Sequence, residues 1–163
     1  PVVDTLLQYV LSRCPKDFLP DDKNEIRLCP WRIAGGQKVK ISEDEEEELD
    51  LHDHHIYPLS GATSLGDSSK DIRKMSKSKG EYHKLNSVLN RTYISDIANR
   101  IISDKKPDEY MKDIPHVSVV QHLIPTPFDN VYDSLEEEDY ESVLMDRYRK
   151  ISDKILEELD GLK

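Results

Sequence analysis

The sequence predicts an α+β fold in which a small strand–strand–helix unit is embedded in a mostly helical domain. Three observations carry this expectation. Residues 49–57, LDLHDHHIY, alternate in part between apolar and polar, as a half-buried strand does. Residues 85–94, LNSVLNRTYI, are rich in β-branched and apolar side chains and suit a second strand. Directly after them Ile94, Ile97, Ala98, Ile101 and Ile102 recur at i, i+3, i+4, i+7 and i+8, one face of a helix, with Ser95 placed as its N-cap.

The remaining elements follow in chain order. Residues 2–12 read as a helix, with Val2, Leu6 and Val10 beside Val3 and Leu7 on one side. Pro15, Pro20 and Pro30 then divide the chain into short irregular pieces. Gly35-Gly36 suits a turn before a short strand, KVKI. The block EDEEEE at 43–48 reads as a solvated loop, because like charges repel and resist burial. Residues 60–80, rich in Ser, Gly and Lys, read as a long mobile loop. Pro107 ends the Ile-rich helix or starts the next, and DEYMKDI suits a short helix. Glu136 to Leu162 is the clearest helix of the chain. Tyr140, Val143, Leu144, Tyr148, Ile151, Ile155, Leu156 and Leu159 form its apolar stripe, and Gly161 suits its cap. This divides the chain into an N-terminal helical and irregular segment (1–48), a central core (49–115) and a C-terminal helical extension (116–163).

Composition narrows the function. A formal net charge of −10 argues against nucleic-acid binding by the whole surface. It leaves room for a local patch. From Asp67 to Arg91 seven Lys/Arg face three Asp/Glu, a local charge of +4. No run of about 18 apolar residues is present, so no transmembrane helix is expected. Residues 1–14 lack a basic start and a cleavage site, which points to a cytoplasmic protein. The chain starts at Pro1, and we expect it to belong to a longer protein. Cys14 and Cys29 lack a metal-binding spacing and read as reduced thiols.

The chemistry concentrates in DHHIYPLS, Asp53 to Ser60. A His pair alone more often packs than reacts. Here it is followed by NSVLNRTYISDIANRIISDKKPDEYM, with Asn99 nine residues after Asn90. The order strand, long loop, strand, helix with His-His, Asn and Asn resembles the ββα-metal finger of HNH endonucleases. The fuller pattern is similar to the HNH domain of GmrSD-type restriction endonucleases and their phage-defence relatives. The likeness covers about residues 50–160 and extends weakly through HLIPTP at 122–127 and the final helix. It implies that His55 is the general base, His54 and Asn99 are metal ligands, and Asn90 ties the long loop to the finger and holds His55 in place. It also implies a divalent cation, Mg²⁺ first, with Mn²⁺, Ni²⁺ or Zn²⁺ as alternatives. These residue types suit phosphodiester hydrolysis. A His near its ordinary pKa of about 6.5 can take a proton at neutral pH. A cation polarises the scissile phosphate. Adjacent residues on a regular strand point to opposite faces, so the His pair requires a bend, which Ile56-Tyr57-Pro58 would favour. Arg91 and Arg100 are candidate phosphate contacts. Lys74, Lys77 and Lys79 supply a basic loop for DNA. The expected whole is the DNA-cutting effector of a bacterial restriction or antiphage protein, governed by a sensor domain or partner subunit elsewhere.

Several alternatives compete. A degenerate HNH fold would bind DNA or a protein partner without cutting. Asn90 could be only a turn residue and Asn99 a helix-surface amide. Asp53 and His52 rank below His54 as ligands, and a His52/His54/His55 zinc site lacks a fourth ligand. His83, His116 and His122 read as structural or surface residues. KMSKSKG at 74–80 reproduces the KMSKS signature of class I aminoacyl-tRNA synthetases. It lacks that family's HIGH-type partner and nucleotide-binding sheet, so an RNA-handling reading would need ATP or tRNA binding.

Overall fold

The structure is a computed structural model that describes residues 2–20, 26–41, 43–59, 69–75, 84–105, 107–125 and 137–162. Its fold is α+β, with helices arranged around two small antiparallel ribbons. Helix α1 (Val2–Ser12) buries Leu7, Val10 and Leu11, one side of its surface. It ends at Cys14, whose φ of 51° lies in the left-handed region that stops a helix. The chain then makes a short bridge, Lys16 opposite Arg27. Helix α2 (Pro30–Ala34) replaces the irregular stretch expected after Pro30. Proline serves as its first residue, where no N–H is needed. Gly36, at φ 71°, turns the chain into β1 (Lys38–Lys40).

The acid run is not wholly a loop. Glu46–Glu48 form β2, antiparallel to β1, with Lys38 opposite Glu48 and Lys40 opposite Glu46. Cross-strand lysines offset the repulsion that the run carries in isolation. The second ribbon pairs β3 (Leu51–His55) with β4 (Arg91–Ser95), from Leu51 opposite Ser95 to His55 opposite Arg91. Between them α3 (Ser69–Met75) interrupts the stretch expected to be a mobile loop, and it fully buries Ile72. Residues 60–68 and 76–80 of that stretch lie outside the described residues. The second strand is shorter than its composition suggests, because Lys84–Asn86 and Val88–Asn90 are 3₁₀ turns.

Helix α4 (Asp96–Ile102) follows β4 directly. Ser95 caps it, accepting from the Ala98 N–H at 3.0 Å. Ile97, Ala98 and Ile102 turn inward and Ile101 outward. Then come α5 (Pro107–Tyr110), α6 (His116–Gln121) and α7 (Glu137–Asp160). Helix α7 buries Val143, Leu144 and Ile151 but exposes Tyr148, Leu156 and Leu159, so only part of its stripe packs. One apolar cluster joins Leu11, Phe18 and Val39 to Ile56, Ile94 and Val143, and so runs across residues 48/49 and 115/116. A smaller cluster seats Val10 of α1 against Leu123 and Ile151.

Candidate functional site

The site lies where β3 leaves its ribbon beside α4. The ribbon keeps register through His55, and the chain bends at Ile56-Tyr57. Two contacts hold the bend. Ile56 N–H donates to Asn90 O at 2.8 Å, and Tyr110 Oη donates to Ile56 O at 2.7 Å. Beyond it the chain opens a cavity of about 260 Å³ whose walls include His54, His55, Asn99 and Arg73. The adjacent histidines therefore reach one cavity, although they leave the strand on opposite sides.

Asn90 is fully buried, and its side-chain hydrogen bonds go to backbone groups rather than to either histidine. Its Oδ1 accepts from Tyr57 N–H at 2.9 Å, and its Nδ2 donates to Tyr57 O at 3.0 Å and Leu85 O at 2.7 Å. A primary amide suits this place because it supplies two donors and an acceptor to backbone groups. It joins the bend after His55 to the turn at Lys84–Asn86, the two ends of the long excursion. Its side chain is spent on backbone groups and is closed off from solvent.

His54 is buried, with the Phe18 and Tyr110 rings edge-on to its imidazole at 6.3 and 5.8 Å. Its Nδ1 faces Asn99 Oδ1 at 3.1 Å, and its Nε2 is buried without a hydrogen-bond partner. Burial lowers its pKa to about 4, and the Asn99 contact only partly opposes this. The ring is therefore neutral at pH 7, the form that ligates metal. Two neighbouring ligands of an octahedral Mg²⁺ at about 2.1 Å stand about 3.0 Å apart. The 3.1 Å between Nδ1 and Oδ1 matches that spacing, but it is also a hydrogen-bond distance at which a neutral ring donates Nδ1–H to Asn99, so ligation by Nδ1 requires that proton to move to Nε2. No group of three or more His, Cys, Asp or Glu that could hold a metal ion gathers among the described residues.

His55 is held by a residue the sequence did not single out. Its Nε2 lies 3.2 Å from Asn86 Oδ1, an acceptor, so Nε2 carries the proton and Nδ1 keeps the lone pair. Burial lowers the His55 pKa, opposed by the Asn86 hydrogen bond. Asn86 Oδ1 also accepts from Arg91, whose other nitrogen meets Asp53 at 2.9 Å. Asn86 is the middle of a Leu-Asn-Ser stretch, and nothing in its spacing separates it from a turn residue.

The candidate phosphate contacts are dispersed. Arg91 is engaged by Asp53 and Asn86. Arg100 is exposed, bonded to Glu47 at 2.6 Å and beside Asp96, and it does not line the cavity. Lys74 is exposed on α3, and Lys77 and Lys79 lie outside the described residues. Arg73, not anticipated, does line the cavity, with Ser103 and Asp104. His52 and Asp53 share its walls.

The supporting residues come from far along the chain. Asp17 accepts from both the N–H and the Oγ of Ser95, at 3.0 and 2.5 Å, and so anchors the N-terminus of the helix that carries Asn99. His122 is fully buried. Its Nε2 donates to Lys16 O at 3.0 Å, which leaves Nδ1 to accept from Thr92 Oγ1 at 2.7 Å. Arg147 of α7 donates to Leu89 O and Arg91 O, on either side of Asn90, and to His122 O. His116 is at the surface, and His83 lies outside the described residues. No family model, curated protein or solved structure matches the chain.

Proposed function

We propose that this chain is a metal-dependent HNH-type endonuclease domain, a ββα-metal finger that hydrolyses DNA phosphodiester bonds. The observation that carries the reading is one cavity wall. His54 Nδ1 and Asn99 Oδ1 stand at ligand spacing there, beside a His55 whose imidazole is oriented by Asn86. His55 Nδ1 takes the proton from the water that attacks phosphorus, and Asn86 keeps the ring in the tautomer that leaves Nδ1 free. A divalent cation on His54 and Asn99, Mg²⁺ or one of its alternatives, would offset charge on the phosphate and on the leaving 3′ oxygen. Arg73, on the cavity wall, would bring a positive charge toward a phosphate.

The engagement of Arg91 and Arg100 by acids favours a second reading, a degenerate finger that binds without cutting. The net charge of −10 supports assigning recognition and control to a sensor domain or partner subunit, in a cytoplasmic restriction or antiphage system. Among the described residues no helix is long and apolar enough to cross a membrane.

Plasmid nicking by the purified chain, with Mg²⁺ and with chelator, tests the reading. Nicking should require the cation. His55→Ala should abolish nicking while calorimetric cation binding persists, and His54→Ala should lose the binding. Undiminished nicking by His55→Ala would overturn the assignment. Cation binding and DNA binding without any nicking would favour the degenerate finger.

A further inference from the structure

Cys14 and Cys29 take no part in the site described above. Between them the chain leaves α1, makes the Lys16–Arg27 bridge and returns toward α2. Leu28 N–H donates to Pro15 O and Asp17 N–H to Ile26 O, each at 2.9 Å. The two cysteines are the next residues outward from the Pro15–Leu28 hydrogen bond. Cys14 adopts a φ of 51°, and its thiol lies within interaction range of that of Cys29. A disulfide requires Cα atoms within about 7 Å and side chains that face each other. The bonded backbone pair brings the main chains together, and the thiol contact supplies the facing. Both thiols are free.

We propose that Cys14 and Cys29 are a redox-modification site, a dithiol that closes to an intramolecular disulfide by exchange with a small-molecule disulfide such as oxidised glutathione. Cys14 is the more exposed of the two and Cys29 is buried, so Cys14 reacts first. Its thiolate attacks one sulfur of the oxidant and expels one thiolate, leaving a mixed disulfide. Cys29 then attacks the Cys14 sulfur and expels the second. One S–S bond breaks and one forms in the protein. Two electrons and two protons pass to the oxidant, which leaves as two thiols. Burial, then the Cys29 contact, pushes the Cys14 thiol up to about 11, with Arg32 and Arg27 opposing. Thiolate is therefore scarce at neutral pH, and closure is slow and quickens as pH rises.

The bond would staple a segment that supports the candidate site. Lys16 O holds His122, Asp17 holds Ser95, and the Phe18 ring packs against His54. Closing this loop restricts the unfolded chain and ties down the anchor of α4.

The test incubates the full chain with oxidised glutathione at alkaline pH, then records intact mass, a peptide map and thermal unfolding. The expected product has lost two hydrogens and yields one crosslinked Cys14–Cys29 peptide. It unfolds several degrees higher than the reduced chain, reversibly with dithiothreitol. Cys29→Ser should instead accumulate a glutathione adduct on Cys14. Wild-type protein that keeps glutathione adducts without the crosslink, forms disulfide-linked dimers, or keeps both thiols after prolonged exposure would overturn the proposal.

Discussion

The amide of Asn86 accepts from two cationic or potentially cationic neighbours, His55 and Arg91. That makes it the residue on which the tautomer of His55 depends. Asn86→Ala removes the acceptor without removing the base. We expect nicking turnover to fall about 10- to 100-fold with little change in cation affinity, since the proposed cation ligands are His54 and Asn99. Asn86→Asp places a carboxylate at the same ring nitrogen and favours the protonated imidazole. Burial holds the wild-type His55 below its ordinary pKa, so the acid limb of activity lies below pH 6.5. The aspartate variant should move that limb to higher pH. An unmoved limb would show that His55 is not the titrating base. The sequence made His54, His55, Asn90 and Asn99 legible only through their likeness to a known pattern. Asn86 escaped because its value lies in where a 3₁₀ turn carries it, and composition does not report a turn's direction.

At the scale of elements, β3, the run into α4, and α4 itself were readable for local reasons. Each signal, the alternation of β3 and the helical spacing and N-cap of α4, is contained within about ten consecutive residues. β2 was not readable, since a run of glutamates becomes a strand only when Lys38 and Lys40 are brought opposite. Nor was the early end of the second strand, because apolar residues serve a 3₁₀ turn as well as a strand. The cap of α4 shows the same division. Ser95 was legible, but the carboxylate that holds it is 78 positions away. Ser95→Ala deletes the bond to Ala98 N–H and the donor to Asp17. It should cost about 2 kcal/mol in urea unfolding. Asp17→Ala should cost a similar amount, and the double variant clearly less than the sum, because both remove the same bond. Simple additivity would count against the cap as one unit.

Across the whole molecule, the long-range polar contacts were the least legible part, since no local pattern marks which polar side chain will be buried. His122 and His54 illustrate this, and they also make folding sensitive to pH. Burial lowers His122 to about 3 and His54 to about 4, against an ordinary value of 6.5. Both are neutral in the folded chain at pH 5.5, whereas in the unfolded chain both are mostly protonated. The unfolded state thus binds more protons, and stability is lost as pH falls from 6.5 toward the folded values. Asp17 acts in the opposite sense, since burial raises its carboxyl and its protonation helps the folded state as pH falls. That gain sets in as pH falls through the raised folded value and is complete below the ordinary carboxyl value of 3.8, so it offsets part of the histidine loss. Each histidine contributes roughly 1 kcal/mol between pH 7 and 5.5. Denaturant unfolding in chelator should therefore show a stability loss of about 2 kcal/mol over that interval. Saturating cation should raise stability across the interval without steepening this dependence, because folded His54 is already neutral there. Stability that stays flat from pH 7 to 5.5 would mean that these imidazoles are not buried as neutral groups.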